Sequence, residues 1–414
     1  MVNKHKFNKL YEMGSGISTT PAQAGRGGDF VSFSTVFNNY FLPAELTDRM
    51  DASSKEQETY SVKEGDVFLT RTSETLDELG MSSVAIKDYP KATYSGFLKR
   101  LRPTQTDVTY HKFMAFYLRS GLFRKTMNNN AVMTLRCSLN EQIFSYLDLL
   151  LLDYPDQVKI GDLLYRLHEK IELNNRINAE LEAMAKTLYD YWFVQFDFPD
   201  ASGQPYKSSG GKMVYNPTLK REIPEGWGDK QLSDIANITM GQSPPGDSYN
   251  EDGDGTIFFQ GSTDFGWLFP TTRQYTTAPS RLAKKRDILL SVRAPVGDMN
   301  IANNDCCIGR GLAALNSKQG FDGFLFYVMK YFKQIFDRRN AEGTTFGSIT
   351  KDDLHSLPLA HPSDELLRKY DDIVSKYNRM VFARSVENQQ LTELRDWLLP
   401  MLMNGQVQVS GGSE

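Results

Sequence analysis

The chain has 414 residues, 47 lysines and arginines against 51 aspartates and glutamates, a formal net charge of −4, and 40% hydrophobic and 12% aromatic residues. That length and composition fit a globular protein of two or three domains and exclude a disordered or fibrous chain. No stretch approaches the ~20 uninterrupted apolar residues of a membrane span, residues 1–10 lack a signal peptide's apolar core, and Cys137, Cys306 and Cys307 show no CxxC spacing, so we expect a cytoplasmic protein without disulfides or structural zinc.

In chain order, Glu45 to Glu78 is acidic, with 10 acids and 4 bases, and contains the β-type run VFLT at 67–70. Val84 to Arg136 reverses the sign, 10 bases against 2 acids, and residues 113–123 predict a helix whose aromatic face belongs to a core. Leu163, Leu167, Lys170, Asn174, Ile177, Leu181, Met184 and Leu188 step by four and three, which predicts a long helix with a coiled-coil seam that is polar midway. Glycine, serine and proline at turn-forming density then predict a linker over 197–224. TIFFQ (256–260) and DILLSV (287–292) predict strands, with Cys306 and Cys307 in another apolar run, and Tyr331 to Phe336 predict a helix with core aromatics. Arg273 to Lys351 carries 13 bases against 6 acids. Ile373, Tyr377, Met380, Arg384, Glu387, Leu391, Leu394 and Leu398 repeat the seam of the first long helix. Two basic regions inside an acidic protein are the footprint of phosphate binding, although solvated helix faces give the same counts.

The chain is also an internal repeat. Asn178, Leu181, Met184 and Leu188 match Asn388, Leu391, Leu394 and Leu398 at an offset of 210, which also links Leu147 to Leu357 and Phe116-Tyr117 to Phe326-Tyr327. Nearer the start it drifts as loop insertions would make it: Asp66 to Leu69 matches Asp287 to Leu290 at 221, and Gly28 falls opposite Gly255. Each half reads as an α+β domain followed by a helix, and the two helices, separated by a whole domain, are expected to pair antiparallel. The rival reading is two ordinary amphipathic helices, each packed on its own domain.

Chemistry would need a recognisable site. GxxxxGK[ST] is absent, and Gly14-Ser15-Gly16 and Gly25-Arg26-Gly27-Gly28 read as turns rather than nucleotide loops. His5, His111, His168, His355 and His361 lack metal or triad spacing. Asp352 and Asp353 suit a helix's first turn. Ser243-Pro244-Pro245-Gly246 is not the Asn/Asp-Pro-Pro-aromatic motif of an adenine methyltransferase. The residues favour recognition over reaction.

Leu181 to Tyr189 followed by Trp192-Phe193, then Ile223-Pro224-Glu225-Gly226-Trp227 with Leu232 and Ile235, then Asp287 to Arg293, then Gly343-Thr344-Thr345 through Ile349 to Leu354, form an ordered series. Over essentially the entire chain it resembles the specificity subunit of type I restriction-modification enzymes. The first half departs from the pattern: it begins at Lys9 to Met13 without the Pro-Glu-Gly-Trp motif, Asn130 to Thr134 replaces the Gly-Thr-Thr element, and Pro362 is followed by Ser363 to Leu366 rather than a second proline. The resemblance implies an α+β fold of two target-recognition domains, 1–155 and 225–361, separated by two long antiparallel coiled-coil helices, a central one at 156–196 and a C-terminal one at 362–405, with a tail at 406–414. It implies a non-catalytic subunit that binds double-stranded DNA at a bipartite target. Two methylation subunits would supply S-adenosylmethionine, and restriction subunits would bring ATP and magnesium.

Basic or amide residues beside turns are the candidates for DNA contact: Arg71, Lys99, Arg100, Arg102, Arg124 and Arg136 in the first domain, and Gln242, Ser243, Arg273, Arg293, Arg310, Arg338 and Thr345 in the second. The seam candidates are Leu163, Leu167, Ile177, Leu181, Met184, Leu188, Ile373, Tyr377, Met380, Leu391, Leu394 and Leu398. The alternative is a coiled-coil scaffold whose basic regions touch nucleic acid non-specifically, and a third reading is a stand-alone methyltransferase or nuclease.

Overall fold

The computed structural model describes residues 2–73, 78–130, 132–133, 137–138, 141–341 and 348–409. It divides into two compact units, one of residues 1–173 with 388–414 and the other of residues 174–387. Both are α+β, and both are built on the same plan.

In the first unit, Val67–Thr70 is apolar on both faces and fully buried, as a strand covered on both sides must be. It lies inside a four-stranded antiparallel sheet in the order Tyr11–Ser15, Leu98–Pro103, Val67–Thr70, Ser82–Val84. A second sheet holds Ala24–Val31 between Arg49–Met50 and Thr93–Tyr94, pairing parallel with the latter. Gly14-Ser15 and Gly25 to Gly28 therefore lie in strands and not in free turns; a bulge absorbs the second glycine group. The His111–Tyr117 helix buries Phe113, Met114, Phe116 and Tyr117, so these aromatics are core. The basic character of this region is also largely internal. Arg119 donates to the carbonyls of Val36, Phe37, Asn39 and Ser82, and burial pushes its guanidinium down to about 10.

The second unit repeats the sheet order with Ala236–Met240, Leu312–Ser317, Ile288–Ser291 and Met299–Ile301. Thr256–Phe259 pairs parallel with Cys306–Ile308, as Ala24–Val31 does with Thr93–Tyr94. Cys306 and Cys307 are buried, free thiols, and burial pushes Cys306 up to about 12. Asp353 completes a capping box with Thr350 at the start of Lys351–His355. The 197–224 segment is folded rather than a slack linker. Met213–Asn216 and Arg221–Pro224 form a hairpin, the Asp197 carboxylate accepts from the Ser208 amide and hydroxyl, and Phe198 stacks between Tyr206 and Trp227. Aromatic burial outweighs the local glycine content.

Two helices, Tyr154–Tyr189 and Asp364–Met403, each contribute to both units. Within the second unit their pairing is antiparallel: Tyr370 donates to the Ala185 carbonyl, Asn178 to Ser385 and Asn174 to Glu387. Within the first unit, Leu163, Leu164 and Leu167 share a core with Leu398, Leu399, Leu402 and Met403. The buried line lies one residue from the predicted seam over much of its length. Ile160, Leu164, Asn174, Asn178, Leu181, Ala185 and Tyr189 are buried on the first helix, and Leu367, Tyr370, Val374, Val381, Ser385 and Leu399 on the second. Of the predicted positions Asn174 and Leu181 are buried. Leu163, Leu167, Ile177, Leu188, Ile373, Tyr377, Leu391 and Leu398 are half-buried, whereas Met184, Met380 and Leu394 are 51%, 41% and 43% exposed. The seam uses small and polar residues, which a search for large apolar side chains passes over.

Candidate nucleic-acid interface

In the second unit three backbone segments converge on one turn. A Cβ on Gly241 would stand 2.1 Å from the Gly309 carbonyl oxygen, one on Gly309 2.7 Å from Gln260 Oε1, and one on Gly311 2.7 Å from the Gln260 carbonyl oxygen. Only glycine permits that approach. The turn is fixed by bonds from Gln242 N to the Ile308 carbonyl (3.0 Å), Gly309 N to Phe259 (2.8 Å) and Leu312 N to Gly309 (3.0 Å). Arg310, between the two glycines, is therefore carried outward on a rigid tip. Ser243 Oγ lies 2.9 Å from Gln260 Nε2 and 3.4 Å from the Arg310 amide, so the exposed Gln260 amide group is held in place.

Beside this tip opens a cavity of about 470 Å³ lined by Gln260, Ser262, Thr263, Ser291, Arg293, Asp298 and Arg310. Asp298 is neutralised by Lys333 at 2.9 Å. Arg293 and Arg310 are exposed and engage no carboxylate among the described residues. Two free guanidiniums, a fixed amide and several hydroxyls can neutralise phosphate and offer donor and acceptor patterns to base edges. A different cavity of about 270 Å³, walled by Trp267, Phe326 and Phe382, holds Lys330 already paired with Glu182.

The structure thus brings together Ser243, Arg293 and Arg310, with the exposed Gln242 on the adjoining segment. Gln260 belongs to the same group and escaped sequence reasoning; the strand register that sets it beside Gly309 is its only signal. Arg273 lies elsewhere, bound to Asp264 at 3.0 Å. Arg338 lies on the Asp322–Ala341 helix with its side chain outside the described set, and Thr345 and Arg136 lie outside the described residues.

In the first unit most candidates turn inward. Arg102 grips the fully buried Asp66 through two bonds of 2.7 and 2.6 Å and adds a third to the Ser61 carbonyl. Arg100 donates to the same carbonyl and lies over the Tyr94 ring. Lys99 is buried against Ser15 Oγ, and Arg124 donates to the Leu79 carbonyl. These four serve the fold, because a guanidinium or ammonium near unpaired carbonyls satisfies them at no cost in exposed charge. Arg71 alone of the described first-unit candidates is exposed and free.

A cationic, hydrogen-bonding cleft on a glycine-locked turn of one copy of a duplicated α+β unit is a surface whose chemistry suits nucleic acid. Residues 29–183 and 224–391 match the model of the type I restriction modification DNA specificity domain, and the chain belongs to that family. A protein of Methanocaldococcus jannaschii assigned as the MjaX type I restriction enzyme specificity subunit is 37% identical over 192 residues, 45% of each chain, so that match spans about half of either protein. The HindI type I restriction enzyme specificity subunit of Haemophilus influenzae is 23% identical over 451 residues, covering 91% of this chain and 94% of that one. The crystal structure of a type I restriction-modification S subunit from M. genitalium shares the fold with a TM-score of 0.60 at 15% identity, over 97% of this chain and 96% of that chain. No helix among the described residues is long and apolar enough to cross a membrane.

Proposed function

We propose that this chain reads a split DNA sequence, each unit contacting one half, and that it contributes recognition while partner subunits contribute the chemistry. Two methylation subunits would bring S-adenosylmethionine to target adenines, and restriction subunits would bring ATP and magnesium for cleavage. The observation that carries the reading is the pairing of a duplicated unit with the Gln260, Arg293 and Arg310 cleft. In that cleft Arg293 and Arg310 would meet phosphate or guanine, and the Gln260 amide, braced by Ser243, would meet adenine.

The test is to co-express the chain with its methylation subunit in a methylation-free host and map modified adenines by long-read sequencing. One motif of two parts with a fixed gap is expected. Scattered or absent methylation from a stable complex would overturn the proposal.

A further inference from the structure

Resting on the reading that each unit contacts one half of a split target, we propose that Phe97 is a specificity-determining residue of the first unit, and that it acts by apolar contact with the C5-methyl group of a thymine. The internal repeat places it. Ile17 N bonds to the Tyr94 carbonyl, Ser95 N to Val31 and Leu98 N to Ser95, reproducing the bonds that Gln242, Gly309 and Leu312 make in the second unit. Arg71 N bonds to the Phe97 carbonyl as Val292 N bonds to Gly311. Gly96 and Phe97 therefore occupy the backbone positions of Arg310 and Gly311. One of the three glycine contacts recurs too, since a Cβ on Gly16, the counterpart of Gly241, would stand 2.2 Å from the Ser95 carbonyl oxygen.

What differs is the side chain at the tip. Phe97 is 65% exposed, although Leu98 beside it is fully buried, and it stacks on no other ring among the described residues. Its amide bonds to Ser95 Oγ at 3.2 Å and its carbonyl accepts from Arg71 at 2.8 Å, so the turn cannot rotate the ring into the core. An exposed phenylalanine is ordinary by itself; what singles out Phe97 is its place on the tip that carries Arg310 in the other unit, bonded to Arg71. The free Arg71, which follows the Val67–Thr70 strand and whose amide holds the Phe97 carbonyl, supplies the attraction to phosphate that would bring a duplex against it. The apolar group that a base edge offers in the major groove is the thymine methyl, and phenylalanine is one of the side chains that meets it. The two units would then read by opposite chemistry at adjacent positions of the same tip, hydrogen bonding from Arg310 in one and apolar contact from Phe97 in the other.

The assembled methyltransferase first defines the target; a wild-type complex that yields no split motif refutes the underlying reading and is recognised at that step. The double variant Arg293→Ala/Arg310→Ala marks the half read by the second unit. Duplexes are then made with each thymine of the other half replaced in turn by deoxyuridine, which removes only the methyl. The wild-type complex is expected to bind one of these about fourfold more weakly, the worth of one apolar carbon buried. Phe97→Ala should bind thymine and uracil duplexes alike, Phe97→Leu should keep part of the difference, and uracil in the second unit's half should be indifferent to either variant. Equal wild-type affinity for every uracil duplex, an unchanged ratio in Phe97→Ala, or a first half without thymine would overturn the proposal.

Discussion

Replacing Arg102 tests whether the first unit's basic run is structural. Arg102→Ala removes three hydrogen bonds, two of them to a carboxylate with no solvent exposure. Stripping one partner from a buried ion pair costs about 3–5 kcal/mol. The Arg102 side chain keeps 26% of its surface in water and the Lys63 amide still bonds to Asp66, which sets the loss near the lower limit, about 3 kcal/mol, or roughly 150-fold in the folding equilibrium. The second unit shows how the same position lives without arginine. Asp287, the counterpart of Asp66, accepts from Asn316 Nδ2 at 3.0 Å and from the Lys284 amide, and burial holds its carboxyl above the usual range. Arg102→Asn should therefore cost about 1–2 kcal/mol, the deficit of one neutral bond against a charged pair. Hydrogen exchange at the amides of 67–70 and 98–102 reads the first unit by itself. Unchanged exchange in Arg102→Ala, combined with a slope of log affinity against log salt smaller by about 0.9, would place this guanidinium on a phosphate and refute the assignment.

Alanine at both Arg293 and Arg310 should weaken DNA binding by about 2–6 kcal/mol if each makes a specific contact and degrade methylation selectivity in one half of the target only; selectivity intact in both halves would remove the cleft from the interface. His168 sits against Phe41, Tyr40 and Tyr165, and burial with the Arg395 charge pushes its imidazole down to about 4. Because the unfolded chain takes up that proton near pH 6.5 and the folded one does not, stability is complete above pH 6.5 and falls as pH drops toward 4, by up to about 3 kcal/mol. Unfolding midpoints at pH 7, 5 and 4 check this, and His168→Phe should flatten the profile. Asn178 Oδ1 is buried without a partner among the described residues while its amide group bonds to Ser385 at 3.3 Å. Asn178→Leu with Ser385→Ala is expected to stabilise the second unit by about 1 kcal/mol and so raise its urea midpoint, since an apolar pair of similar volume replaces a half-satisfied polar one; a lower midpoint contradicts it.

The repeat was legible wherever side chains carry its register. Leu147 and Leu357, paired by offset, each accept from the first residue of equivalent helices, Phe7 and Leu232. The strands at 67–70 and 288–291 likewise follow the offset of 221. Glycine pairing slipped by one: the partner of Gly255 is Gly27, since Gly28 faces Met50 as Thr256 faces Thr276, and Gly27 and Gly255 have φ of 86° and 88°. One glycine resembles another until the strand register separates them. The seam slipped for a related reason, because Ala185 and Asn178 carry no signature of burial whereas the exposed Met184 does. Gln260 and Phe97 were invisible because what marks them is a three-segment convergence, assembled from positions far apart in the chain.

Charge counting had a different weakness. The two basic regions carry nearly equal excesses, yet the structure deploys them oppositely. In the first unit Arg100, Arg102, Arg119 and Arg124 are consumed by carbonyls and by Asp66, while in the second Arg293 and Arg310 stand free at the cleft. A segment's net charge measures its field at a distance, but Arg102, paired with Asp66, loses its monopole there; Arg100, Arg119 and Arg124 keep their charge yet have donors turned to neutral carbonyls of the fold rather than to a phosphate. The salt dependence of DNA binding should then follow free cations rather than the segment totals. Duplication sharpens the point, because the backbone bonds and the Gly16/Gly241 contact are held in common between the units while the residues at the tip and beneath it have exchanged. Asn316 stands where Arg102 supports Asp66, and Arg310 stands where Gly96 precedes Phe97. An arginine has in effect moved from the interior of one copy to the tip of the other, a difference in recognition chemistry that leaves the fold unchanged.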